Sequence, residues 1–149
     1  MLFWGIVLAV HILGAAIWVG GMAFALLVLR PALRVLEPPQ RIALHAQVFR
    51  KFFLIVWHAM PLILLSGYAM LFGIYGGFAG ADWSVHVMHL LGLIMAVIFI
   101  VIFFGPWAAF RAAATMPARA AAVDRIRKLI AINLALGLLT ITVAALGWR

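Results

Sequence analysis

Long stretches of apolar side chains alternate along this chain with short polar connections. Residues 2–29 carry no Asp, Glu, Lys or Arg, and the same holds for residues 52–78, 85–110 and 129–148. A helix rises about 1.5 Å per residue, so the first run alone makes roughly 42 Å of helix, against a hydrocarbon core of about 30 Å. The second run fades beyond residue 75 into the glycine-rich Gly76-Gly77-Phe78-Ala79-Gly80. The pattern predicts four membrane-spanning helices, over residues 2–29, 52–75, 85–110 and 129–148. The expected fold is all-α, an integral membrane four-helix up-and-down bundle, with residues 1–149 forming one domain. Short connections put spans one and three on a diagonal of that bundle.

Composition sharpens the picture. Of the 149 residues 69% are hydrophobic and 9% charged, and the mean hydropathy is +1.27. Soluble domains run near 45–50% apolar and about 25% charged. A core of this size cannot hide so much apolar surface from water, so a soluble enzyme is excluded and lipid is the expected partner. The first residues lack the basic stretch of a signal peptide, and no small-x-small site follows, so the first run is expected to stay as a permanent span.

The net charge of +8 comes with only three acids. Ten of the eleven basic residues, all but Arg149, lie in two blocks, residues 30–51 and 111–128. Such blocks mark cytoplasmic connections rather than a nucleic-acid surface, which needs a basic face on a folded domain. Connections one and three therefore share the cytoplasmic side, and both termini face outward. Trp4, Trp83 and Trp148 fall at the outer ends of spans one, three and four, where indoles prefer to sit.

Cysteine is absent, which rules out disulfides, iron–sulfur clusters, thiolate-ligated haem and cysteine zinc sites. Histidine and methionine remain as donors, five and seven of them. No acid lies within a span, so paired-carboxylate catalysis fails and proton pumping is not expected. There is also no Ser–His–Asp set, no HExxH and no phosphate loop.

The strong polar groups inside the spans are His11, His58, His86, His89 and Asn133. An intramembrane histidine is costly and points to function by default. His11 shares a helix face with Gly14, Trp18 and Gly21, where small residues admit another helix or a flat macrocycle. The plain alternative is a neutral histidine bonded to a neighbouring helix. His86 and His89, at i and i+3 near the outer end of span three, share a face as well. His58 lies one turn from Pro61 and either ligates or serves the disturbed backbone of that turn. His45, among Arg41, Gln47 and Arg50, reads as a solvated loop histidine. A weak repeat with an offset of 75 residues relates His11–Pro31 to His86–Pro106, Arg50 to Arg125 and His58 to Asn133.

Two cofactors fit these donors. A b-type haem takes two axial imidazoles at one depth: His11 with His86 by the proline-aligned repeat, or with His89 by distance to the basic connections. Copper is the alternative, drawn by His86-Val87-Met88-His89 and by Met22, Met60, Met70 and Met95, since soft thioethers suit Cu(I). The haem reading makes the chain an electron-transfer protein, passing electrons between a quinol or small oxidant and an outer-face acceptor, with an enzymatic role left open. The copper reading makes it a transport or resistance component. A metal-free scaffold and a homo-oligomer stay open.

His11 with Trp18-Val19-Gly20-Gly21, Phe49-Arg50-Lys51-Phe52-Phe53, Ser66-Gly67-Tyr68, Arg125-Ile126-Arg127-Lys128 and Asn133-Leu134 form a set of short motifs along the chain. Through them the chain resembles the CopD-like family of small bacterial membrane proteins. It implies copper handling and a bacterial inner (plasma) membrane location. Around His11 the chain is also distantly similar to the HemJ-type protoporphyrinogen oxidases, which implies haem. That group carries a lysine in its third span, and residues 85–110 contain none.

Overall fold

The computed structural model describes residues 1–147, so Trp148 lies outside the described residues. Among those residues every regular element is helical. Four helices are long and apolar enough to cross a membrane: α1 (Leu2–Val35), α2 (Pro38–Gly73), α3 (Trp83–Ala112) and α4 (Met116–Leu146). In none is more than 28% of the most apolar window buried in the bundle. Most of the apolar side chains therefore point outward, where only lipid tails solvate them. The chain is a multi-pass membrane bundle.

The helices overrun the apolar stretches at the basic end. The two basic connections, expected as loops, are mostly helix: only Leu36 and Glu37, and residues 113–115, lie outside it. The reason is local. Glu37 and Gln40 form a reciprocal capping box in front of α2, with Pro38 and Pro39 opening the helix. Thr115 caps α4 by accepting from the Ala118 N–H at 3.4 Å. Helix α2 thus runs for 36 residues, about 54 Å, well beyond the hydrocarbon thickness.

Helix α1 packs chiefly along α2, and α3 along α4. Helices α1 and α3 oppose each other diagonally and meet where Trp18 touches Phe99, with ring centroids 6.3 Å apart. One stripe of α2, His45, Phe49, Phe53, Val56 and Met60, is buried against the other helices. Phe49 stacks on Phe53 at 5.6 Å, and Phe53 meets the edge of Trp107 at 5.5 Å. Trp57 sits between Phe99 and Phe103. Each such pair contributes about 0.5–1.5 kcal/mol beyond plain contact. In lipid, where apolar burial gives little drive, this packing is what selects the neighbours.

The prolines behave differently. Pro61 is carried inside α2 without a break. Pro31 follows a six-residue π-turn, Phe24–Leu29, the wider turn that absorbs its missing N–H. Pro106 follows Gly105, where α3 breaks into Trp83–Phe104 and Pro106–Ala112. At the other end, Gly76 and Gly77 have φ of 69° and 105°, a conformation that side chains resist. Their turn carries the Gly77 N–H back to the Leu71 carbonyl at 2.9 Å and delivers Phe78 to the end of the bundle away from the basic connections.

Candidate functional site

The end of the bundle away from the basic connections gathers three of the four intramembrane histidines, each tethered differently. His11 turns from α1 toward α2. Its Nδ1 is 3.0 Å from the Ile63 carbonyl oxygen and 3.1 Å from Ser66 Oγ. A carbonyl only accepts, so the proton sits on Nδ1 and Nε2 keeps its lone pair. Ser66 in turn donates to the Leu62 carbonyl at 2.5 Å. The ring passes so close to α2 that a Cβ on Gly67 would stand 3.2 Å from His11 Cε1. A metal-binding imidazole is commonly held by its second nitrogen in this way.

His89 lies across α2 from that position. Its Nε2 is 3.5 Å from the Tyr68 hydroxyl, the outer limit of a hydrogen bond. The imidazole also meets the edges of the Tyr68 and Phe78 rings, both at 5.2 Å. His11 and His89 are thus tied to neighbouring positions of α2, Ser66 and Tyr68, about 3 Å apart along its axis. His86 stands one turn nearer the surface, exposed, with its ring stacked on Phe78 at 6.0 Å. His86 and His89 share Phe78; His11 and His89 share the C-terminal turns of α2.

His58 is not part of this group. It is exposed on the outer surface of α2, and its Nδ1–H donates to the Leu54 carbonyl of its own helix at 2.8 Å. It serves the backbone one turn before the carbonyl that Pro61 frees. Its repeat counterpart, Asn133, is 1% exposed and donates to the Met95 carbonyl at 3.3 Å. Positions related by the 75-residue offset therefore have unlike surroundings.

Two readings of the sequence need correction. The small-residue face of α1 is filled by α2: a Cβ on Gly14 would meet Ile63, and one on Gly21 would meet Phe52. That face admits a helix, and no macrocycle lies along it. His45 is not a solvated loop residue but is buried within α2, its ring stacked on Phe49 at 5.2 Å. The spacing His45–Phe49–Phe53, four residues each, carried that signal.

Among the described residues no three His, Asp or Glu side chains gather closely enough to hold a metal ion together. The end away from the basic connections offers instead separate imidazoles, one with a free Nε2 lone pair. Behind them the thioethers of Met22, Met60 and Met95 are buried in the core. Such donors suit a soft monovalent ion better than a hard divalent one. Ser66, Tyr68 and Phe78, the partners of the histidines, were not singled out as site residues by the sequence. A Ser and a Tyr within an apolar run, two residues apart, were the available signal.

A family model described as Copper resistance protein D matches residues 46–146, more than half of the chain. The match takes in Tyr68, His86, His89 and Asn133 and stops short of His11 and His45. No curated protein and no solved structure matches the chain.

Proposed function

We propose a function on the premise that the chain belongs to the copper resistance protein D (CopD) family: it is a copper-resistance component of the membrane, with copper as its cargo. The family match over residues 46–146 is the observation that carries this reading. His11, His86 and His89 are its capture ligands at the outer end, and the buried methionines Met22, Met60 and Met95 supply softer donors within the bundle. The role of His11 rests on the hydrogen bond that leaves its Nε2 free. In this reading the protein lies in a bacterial inner membrane, with the basic end in the cytoplasm and both termini outside.

Metal analysis and Cu(I) titration of the purified chain test it. Stoichiometric Cu(I) binding that falls in His11→Ala and His89→Ala is the expected result. A chain that takes up no copper would remove the reading.

A b-type haem has less support: His11 and His89 are held on opposite sides of α2, at Ser66 and Tyr68, and the small-residue face of α1 is filled by Ile63 and Phe52. If bound, such a group would supply one-electron transfer between a quinol or small oxidant and an outer acceptor, and a Soret band in the purified protein would establish it over copper.

A further inference from the structure

At the basic end, α1, α2 and α4 border two adjoining open cavities of about 200 Å³ each, and Arg41, His45 and Arg127 line both. Arg30 and Arg34 complete the second. Four arginines thus line one space between helices. The Asp124 carboxylate is already taken by Arg127 and Lys128 at 3.0 Å each, and Glu37 is used in capping α2.

The walls hold polar atoms that nothing in the protein satisfies. His45 is 8% exposed, and its Nδ1 has no hydrogen-bond partner. The Nε of Arg127 is buried and unpartnered as well. A buried N–H without an acceptor is costly, and guanidinium cannot escape the cost by losing its proton. Arg41 is fixed in place: its Nε and Nη2 donate to the carbonyls of Leu36 and Arg34 at 2.6 and 3.1 Å. The result is a preformed, cationic, donor-rich space.

We propose that this cavity binds a phosphate group. A tetrahedral oxyanion brings several acceptor oxygens, which match guanidinium forks in both charge and direction. One more oxygen meets His45 when Nδ1 carries the proton. Two sources share this chemistry: the headgroup of an anionic phospholipid, reached from the leaflet at the basic end, and free phosphate from the aqueous side. The site is independent of the outer histidines and of copper.

The full chain in detergent is titrated with inorganic phosphate against chloride at matched ionic strength, and separately reconstituted in nanodiscs of phosphatidylglycerol or phosphatidylcholine, with thermal unfolding as the readout. A rise in Tm with phosphatidylglycerol alone identifies a bound headgroup; a rise with inorganic phosphate identifies a soluble ligand. Arg34→Gln and Arg127→Gln each weaken the effect about tenfold, and His45→Ala also weakens it, whereas Lys51→Gln, equal in charge change but outside the cavity, leaves it intact. Arg34 is exposed, and its side chain makes no hydrogen bond among the described residues, so Arg34→Gln decides the matter even if Arg127→Gln fails to fold. No rise with either probe, an equal rise with chloride, or equal losses in Arg34→Gln and Lys51→Gln would overturn the proposal.

Discussion

Gly14 of α1 lies so close to Ile63 of α2 that a Cβ placed on it would stand 2.7 Å from Ile63 Cγ1. This approach brings the two backbones together one turn below His11 and so sets the reach of the imidazole to Ile63 and Ser66. Gly14→Val should force the helices apart and cost about 1–3 kcal/mol. It should also lengthen the His11 tether, so copper uptake falls along with stability. Thermal unfolding and metal content of the one variant check both effects; unchanged values would show that Ile63 yields without moving the helix.

His11→Ala removes an interhelical hydrogen bond, while the Ile63 carbonyl keeps its place in the α2 ladder. Bonds of this kind in membrane bundles contribute about 0.6 kcal/mol on average and at most about 1.7. The variant should therefore express and unfold nearly as the parent does, while its Cu(I) binding drops. A large loss of stability with normal copper binding would assign His11 to packing.

Asn133 offers a sharper contrast. Its Nδ2 holds the Met95 carbonyl, and its Oδ1 is buried with no partner. Asn133→Leu loses one weak bond and also removes an unpaired acceptor, so stability should change by less than about 1 kcal/mol. Asn133→Asp places a charge within the membrane and should cost about 2.5–3.5 kcal/mol. Comparing the two variants by unfolding in detergent tests whether Oδ1 is unsatisfied. A costly Asn133→Leu would mean that this oxygen has a partner in the membrane.

Reporter fusions after Arg34 and after Arg119 should give the same, cytoplasmic signal. Both basic blocks meet at one end of the bundle, where Arg34 and Arg127 line one cavity. A periplasmic signal from either fusion would contradict the assigned orientation.

The spans were legible because lipid leaves the backbone no choice: an uncharged run long enough to cross must satisfy its own N–H and C=O groups, and a helix does so. Where the chain leaves the hydrocarbon, hydrophobicity stops reporting on helix. The extensions of α2 and α4 announce themselves only through caps, Glu37 with Gln40 and Thr115 before Pro117. The histidines were legible as residues but not as partners. Helices that are apolar on every side carry little record of which face turns inward, so nothing fixed that His11 meets Ser66, that His58 faces outward, or that Phe78 lies over His86. His45 was hidden for a related reason. Arg41 and Arg50 made its segment look aqueous, while the aromatic stripe below it was already pointing the ring into the bundle.

The break at Gly105–Pro106 divides α3 into a rod and a short foot. Pro106 has no N–H to offer the Ile102 carbonyl, so the hydrogen-bond ladder loses a rung there. The foot is fastened by its side chains: Trp107 against Phe49 and Phe53 of α2, and Phe110 stacked on Trp107 at 5.4 Å. In mechanical terms the joint is a hinge with an aromatic latch. Its angle is held by its neighbours rather than by the broken ladder: rings of α2 brace it through Trp107, and α4 packs along its length.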